Sequence, residues 1–207
     1  MAGNHSNRHY NDQDGNVWLN GAKLYDSAGA DVTPLQAVVQ HVVPVTDLRV
    51  WDAVQTLLPA TPATDDLGLI VNTFGTTAPT VETGDLKAAG ATTRYARFQA
   101  QVPNNYVAGA AITLRLNAGM KTTVADTSAT IDAEVYRAIA PSTDICATAA
   151  QSINSLTAAN KDFTITPTDV VPGELLDIRL AVAINDGATG TAVIGQVNSV
   201  NVRSTVK

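Results

Sequence analysis

The feature that most constrains this chain is a period-two alternation of apolar and polar residues, which recurs from about residue 65 onward. A strand of an antiparallel sheet shows this alternation when one face packs on a core and the other faces water. The alternating segments are 67–72, 93–102, 111–118, 130–136, 162–166 and 176–184. Each is therefore predicted to be a half-buried strand, without helices between them.

Further signals complete the predicted sandwich. The apolar residues of 193–202 change parity partway, which predicts a β-bulge near Asn198-Ser199. Another strand is predicted around Ile145–Gln151, and turns rich in Pro, Gly and Asn separate the strands. About eight strands at this spacing predict an all-β fold, an antiparallel and jelly-roll-like β-sandwich over 67–207.

The first 45 residues are predicted to form an N-terminal arm. Asn20-Gly21, between Asn16–Leu19 and Lys23–Asp26, predicts a β-hairpin with a type I′ turn. A hairpin alone is marginally stable in water, so the arm needs a surface to pair with. That surface is either the edge of its own sandwich or a neighbouring subunit. The residues predicted to contact a partner are Val17, Trp18, Leu19, Leu24 and Tyr25.

Residues 46–66 are predicted to be a short helix followed by a linker. Thr46–Leu58 can place its large apolar residues on one side of a helix, and Pro59 would end it. Just before it, within the arm, Ala37–Val45 is rich in valine at both parities. This pattern predicts a strand that has partners on both faces.

Charge and composition exclude several classes of function. The formal net charge is −6 and the pI is near 4.8, which argues against a nucleic-acid partner because phosphate binding needs clustered Lys and Arg. A single Cys excludes an internal disulfide and a Cys-based zinc site. No segment approaches the ~18 apolar residues of a membrane span, and no signal segment is recognisable. We therefore expect no membrane partner and synthesis in the cytoplasm.

Two patterns near the N-terminus partly match metal sites. His5 and His9 are spaced as on one helical turn, but the surrounding Asn, Ser and Gly disfavour a helix. Asp12–Asn16 offers oxygens at alternate positions, but Val17 stands where a calcium loop requires Gly and Lys23 where it requires an acid. Neither pattern predicts a metal, and no cofactor motif is found.

Four residues are candidates for catalytic chemistry. Cys146 has no local nucleophile signature and is predicted to be a small buried apolar residue. Asp132, Glu134 and Asp177 are candidates for paired-carboxylate glycoside chemistry. All three fall on the polar parity of their strands, which favours a solvated sheet face. The chain is therefore predicted not to be an enzyme.

Three stretches are similar in style to β-sandwich proteins of phages and environmental sequences: Arg94–Pro103, Phe163–Pro167 and Pro172–Leu180. Together with the hairpin arm and the Ala- and Thr-rich sandwich, they give a chain that resembles virion structural proteins of tailed bacteriophages. The resemblance implies a capsid decoration (cement) protein, located on the capsid exterior, that binds across subunits of the major capsid protein. It also implies a homo-oligomer, with a trimer preferred, and it carries over no functional residues.

Two other classes of function stay open. One is a tail-fibre or receptor-binding head, and the other is a carbohydrate-binding module. Sugar binding generally uses exposed aromatic residues, and both Trp18 and Trp51 precede the predicted sandwich. Their position weakens the carbohydrate-binding hypothesis.

Overall fold

The computed structural model describes residues 10–11, 17–18, 36–71, 73–168, 170–187 and 190–207. The chain divides into two compact units, Met1–Gln36 with Lys207 and Ala37–Val206. In the first unit, β1 (Tyr10–Asn11) pairs antiparallel with β2 (Val17–Trp18). The strands described in the second unit are β3 (Ala37–Val43), β4 (Gly68–Ile70), β5 (Thr80–Glu82), β6 (Gly90–Gln101), β7 (Ile112–Met120), β8 (Ser128–Arg137), β9 (Gln151–Ser152), β10 (Ala159–Ile165), β11 (Leu175–Asp186) and β12 (Gly195–Val206).

The larger unit is a sandwich of two antiparallel sheets with jelly-roll connectivity. One sheet has the order β10-β7-β12-β5-β4, with β3 also paired to β12, and the other has the order β6-β11-β8-β9. From β5 to β12 the chain changes sheet at every step except the one from β8 to β9. This sequence of changes is that of a jelly roll built from two Greek keys. The predicted fold class is confirmed.

The alternation in the sequence produces the core between the sheets. Along β11 every second side chain, from Leu176 to Ile184, is buried, and the intervening side chains point outward. The opposite sheet contributes the buried side chains of Ile112, Leu114, Leu116, Phe163, Ile165, Val197 and Val200. In each strand only every second side chain faces the core. Where the apolar pattern of a strand shifts by one residue, an irregularity such as a β-bulge has to return the apolar side chains to the core.

The predicted bulge in β12 is confirmed. The register of β12 against β7 shifts between Val197 and Ser199, so that Asn198 is the extra residue. On its other side, β12 pairs with β5 before the bulge and with β3 after it. The bulge therefore lies where β12 exchanges one neighbouring strand for another.

Non-strand segments cover the outer edges of two long strands. The Arg49 amide donates to the Arg97 carbonyl of β6 at 2.8 Å, and Arg97 donates back at 3.0 Å. Along β10, the Ala147 amide donates to the Thr164 carbonyl at 2.9 Å. Such covering protects an edge from pairing with another chain. In contrast, β12 is the only strand paired with β3 among the described residues.

The predicted helix over Thr46–Leu58 is wrong. A 3₁₀ turn covers Val45–Asp47, and the chain then runs along the edge of β6, where Arg49 also bridges Leu57. The sheet edge uses backbone groups that a helix would bond internally, and the β-branched residues in the segment favour the extended form. A helix long and apolar enough to cross a membrane is absent from the residues that the structure describes.

Three other predictions differ from the structure. The compact sandwich begins at Ala37, so the predicted arm boundary at residue 45 falls inside it. Within this segment β3 is exposed over most of both faces, because it lies at the sheet edge rather than between two layers. The predicted strand around Ile145–Gln151 reduces to an isolated bridge at Cys146 and to the short β9, which begins at Gln151. Here the chain covers an edge instead of adding a full strand.

Candidate functional site

The five predicted contact residues belong to the N-terminal unit. Val17 and Trp18 form β2, which pairs with the preceding β1, and the predicted partner strand Lys23–Asp26 lies outside the described residues. The other predicted contact residues, Leu19, Leu24 and Tyr25, lie outside the described residues, as do His5, His9 and the Asp12–Asn16 segment. The contact role of these residues stays a prediction.

The outer face of the four-stranded sheet carries a cluster of charged and aromatic side chains. Arg97 of β6, Arg179 of β11 and Glu134 of β8 lie opposite one another across the three strands. Asp177 has the same outward parity as Arg179 and lies opposite Tyr136. Cross-strand neighbours on one face are within side-chain reach, so strand pairing alone assembles this group from three distant segments.

Two ion pairs, in each of which both carboxylate oxygens accept from an arginine, order the cluster. Arg97 donates from Nε to Oδ1 of Asp177 at 2.7 Å and from Nη2 to the second oxygen. Arg179 donates from Nη2 to both oxygens of Glu134, at 2.6 and 2.7 Å. The hydroxyl of Tyr136 also donates to Glu134, at 3.3 Å. These charge-assisted bonds hold the strand side chains as a fixed floor.

The pKa values of Arg97, Arg179 and Tyr136 are all raised, by hydrogen bonds to carboxylates or by desolvation. The hydrogen bond to Asp177 raises the pKa of Arg97, and the bond to Glu134 raises that of Arg179. Desolvation, followed by the charge of Glu134, raises the pKa of Tyr136. Both guanidinium groups therefore stay ionised, and the tyrosine stays a neutral hydroxyl at physiological pH.

Trp51 forms a wall beside this floor. The guanidinium carbon of Arg179 lies 5.2 Å from the Trp51 ring centroid and 5.0 Å from that of Tyr95. The two rings are 5.3 Å apart at an angle of 49°. The indole Nε1 donates to Asp65 at 3.1 Å. Cation–π contacts, ring packing and a hydrogen bond together fix the orientation of the indole.

Floor and wall enclose a surface cleft of about 340 Å³. It is lined by Trp51, Asp52, Arg97, Glu134, Tyr136, Pro141, Asp177 and Arg179. The volume lies at the lower end of the range for small-ligand pockets. Two guanidinium groups and three carboxylates make the lining mildly acidic, with a formal charge of −1 when all are ionised.

The sequence predicted the outward position of Glu134 and Asp177 but not their partners. Parity shows which face a side chain lies on, whereas register decides which strands become neighbours. Asp177 and Arg97 are 80 residues apart in sequence, so no local pattern connects them. The sequence predicts Trp51 in a helix before the sandwich, whereas the structure places it over the sheet.

The remaining catalytic candidates, Cys146 and Asp132, lie in surroundings that do not activate them for chemistry. Cys146 is half-buried, and its thiol pKa is raised mainly by desolvation, in line with an unreactive side chain. Asp132 accepts a hydrogen bond from the Ala133 amide at 2.9 Å. In the described part of the chain, no group of three or more His, Cys, Asp and Glu residues is arranged to hold a metal.

The fold and the cleft together define a jelly-roll sandwich with a polar, aromatic-walled surface site. No protein-family model and no curated protein matches the chain. Among solved structures, it is similar to a carbohydrate-binding module of the β-sandwich superfamily (11% identity, TM-score 0.36, 82% of this chain and 57% of that one). It is also similar to a chain of infectious bursal disease virus, Gx strain (14%, 0.37, 86% and 33%).

A third similar structure is the Stig cyclase Fisc from Fischerella sp. TAU (12% identity, TM-score 0.41, 82% of this chain and 90% of that one). The chain spans only 57% and 33% of the first two structures' chains. At these values the similarities carry no inference about function, which has to come from the molecule itself.

Proposed function

We propose that the protein is a non-enzymatic structural protein of a bacteriophage virion, of the capsid decoration type. It attaches to the capsid exterior across subunits of the major capsid protein and acts as a homo-oligomer, with a trimer preferred. The observation that supports this proposal best is the edge strand β3. The resemblance of the sequence to virion structural proteins supplies the identity of the partner.

The β3 edge has the properties of a site for strand addition. Its seven residues, AVVQHVV, include no acidic residue, Lys, Arg or Pro. Val38 and Val42 are 63% and 56% exposed, and Gln40 lies between them on the same face. Natural sheets usually block such an edge with charge, proline or a covering loop, as this chain does at β6. An edge that lacks charge and proline, and that no described segment covers, favours pairing with another chain.

Attachment at several weak points suits the proposed role. Each subunit offers the β3 edge and the predicted arm contacts Val17, Trp18, Leu19, Leu24 and Tyr25. Removing the apolar surface of a tryptophan from water contributes on the order of 3 kcal/mol to binding, before the entropy cost of ordering is subtracted. In an oligomer these contributions act together, so modest contacts give tight attachment through multivalency.

The test is cosedimentation with assembled capsid shells. The shells are made from the major capsid protein that is encoded together with this chain. We expect the full chain to cosediment at a fixed copy number and a variant lacking residues 1–35 to be folded but unbound. The double substitution Val38→Lys and Val42→Lys should weaken attachment, whereas Ala183→Lys, on the outer face of the other sheet, should not. Full occupancy by the truncated protein would remove the arm from the proposal.

Light scattering tests the oligomeric state separately. A trimer at micromolar concentration is the expected result. A monomer would contradict a constitutive trimer and restrict assembly to the capsid surface. Failure of every variant and of the full chain to bind shells would overturn the decoration role itself.

A tail-fibre or receptor-binding module is the second candidate function. It is favoured by the cleft on the four-stranded sheet, where Trp51 and Tyr136 flank ordered polar groups. A decoration protein does not require such a site, but a receptor-binding module does. Binding of a host-surface glycan in the absence of any capsid would support this candidate.

A further inference from the structure

The cleft on the outer face of the four-stranded sheet has side chains that are held in fixed positions by one another and by the backbone. Its polar groups come from three strands, and its wall comes from a segment that the sheet edge holds in place. The Arg97 guanidinium lies 3.5 Å from the Trp51 carbonyl and so connects floor to wall. The charged groups are ordered before any ligand arrives, which reduces the entropy lost on binding.

The floor presents hydrogen-bond donors and acceptors side by side. Arg179 donates to Glu134 from Nη2 alone. In the described bonds, its other N–H groups do not donate to that carboxylate. Each oxygen of Asp177 accepts one described hydrogen bond from Arg97, and a carboxylate has about four acceptor positions in all. A ligand that both donates and accepts at adjacent positions satisfies such a floor. Neighbouring hydroxyl groups of a sugar ring have this property.

The wall supplies the apolar part of the same recognition. Trp51 is half-buried, and Tyr136 and Pro141 also line the cleft. A pyranose ring has an apolar face of C–H groups, and aromatic side chains pack against such faces while their polar ends stay wet. The cation–π position over Trp51 and Tyr95 is already filled by Arg179. The cleft is therefore not arranged as an aromatic cage for a ligand ammonium group.

The charge of the cleft selects among glycans. Each guanidinium group is paired with a carboxylate, and Asp52 adds a third negative group. The whole chain carries a formal charge of −6. Sialic acids, uronic acids and phosphates would therefore be repelled, since no unpaired cation of the cleft remains to hold them.

From these observations we infer that the cleft formed by Trp51, Arg97, Glu134, Tyr136, Asp177 and Arg179 binds a neutral pyranose glycan. The volume of about 340 Å³ suits one or two sugar units of a longer chain. The inference does not depend on capsid attachment. It rests on the second candidate function, receptor binding through this cleft, and names the class of ligand.

The test uses the full chain with Trp18→Phe, which makes Trp51 its only tryptophan. The probes are neutral oligosaccharides of glucose, galactose and mannose, with sialyllactose and a galacturonic acid trimer as charged counterparts. We expect at least one neutral probe to change the emission of Trp51 with saturation. We also expect the charged probes to bind at least about tenfold more weakly.

Matched variants then locate the binding, measured by calorimetry on chains with unchanged thermal unfolding. Tyr136→Ala should weaken association at least about tenfold, whereas Tyr136→Phe, which keeps the ring, should weaken it by no more than about threefold. Phe74→Ala, at a fully exposed aromatic outside the cleft, should have no effect. Trp51→Ala provides a second variant if Tyr136→Ala unfolds.

Three outcomes would overturn the inference. The first is the absence of binding by every neutral probe. The second is equal or stronger binding by the charged probes, which would contradict the charge argument. The third is unchanged affinity in both Tyr136→Ala and Trp51→Ala, which would place binding elsewhere. None of these measurements involves a capsid, so their failure is distinguishable from failure of the decoration role.

Discussion

The outer faces of the two sheets carry the same kind of ion pair but differ in shape. On the four-stranded sheet Arg179 pairs with Glu134, and on the six-stranded sheet Arg115 donates two bonds of 2.6 Å to Asp162. The first pair lies at the bottom of a cleft, and the second lies on an open face beside hydrogen-bonded asparagines. A paired charge on a sheet therefore does not by itself make a site.

The difference arises from the segment between β3 and β4. That segment covers the edge of β6 and carries Trp51 over the outer face, whereas the six-stranded sheet ends in the exposed β3. Covering an edge thus has two consequences here: it blocks pairing with other chains, and it creates a wall for a cleft. We propose a small ligand for the face beside the covered β6 edge and another protein chain for the β3 edge, which no described segment covers.

The largest effect is expected from the core that both faces share. Leu180→Asp places an unpaired charge between the sheets and should cost about 4 kcal/mol or more, enough to unfold the sandwich. Ala183→Asp, on the outward parity of the same strand, should leave it folded. Circular dichroism and thermal unfolding measure both. If the two variants were equally stable, the assignment of core and outer parity in β11 would be wrong.

A smaller effect is expected from removing one arginine on each face. Arg179→Ala removes an ion pair and the packing over Trp51 and Tyr95, and we expect a loss of about 1–2 kcal/mol. Arg115, which is about as exposed as Arg179, has an ion pair without ring contacts, so Arg115→Ala should lower the stability less. Denaturant unfolding of the two variants tests the comparison. A greater loss for Arg115→Ala would show that the aromatic wall does not contribute to the ordering of the cleft.

The smallest effects are expected from two aspartates, and they differ in their dependence on pH. The hydrogen bond from Arg115 lowers the pKa of Asp162 in the folded state. Its stabilising effect is therefore present above the ordinary pKa of an aspartate and disappears as the pH falls through the lowered value. Asp162→Asn should destabilise the protein at pH 7 and have little effect in acid.

Asp66, beside the cleft wall, has the opposite behaviour. Desolvation, then the charges of Asp65 and Asp52, raise its pKa. Ionised Asp66 therefore opposes folding at neutral pH, and this cost disappears as the pH falls through the raised value. Asp66→Asn should stabilise the protein slightly at pH 7 and not in acid. Thermal unfolding at pH 7 and near pH 3 would contradict the assignment if both aspartate variants shifted in the same direction.

The sequence was sufficient for the fold because alternation is a local signal. The inward parity of β11 and the bulge at Asn198 could both be read directly from the order of residues. The extended segment over residues 46–58 could not, because its backbone partner, Arg97, is distant in sequence and supplies the hydrogen bonds that decide against a helix.

The cleft was less predictable than the fold for the same reason. Parity in the sequence predicts that Glu134 and Asp177 point outward, but their arginine partners depend on the register of β6 and β8 against β11. Trp51 reaches the cleft because Arg49 pairs with the edge of β6, a contact that no periodic pattern indicates. Sites that combine strand register with loop placement require the structure.

The strand order also has a consequence for how the chain folds. Each sheet is joined through a central strand that comes late in the chain, β11 in one and β12 in the other. During synthesis, β6 and β8 are joined to each other only by β11, and β7, β5 and β3 only by β12, so the core closes in a late, long-range step. Fragments ending before Leu175 should be protease-sensitive throughout, and until closure the nascent chain is exposed to misassembly.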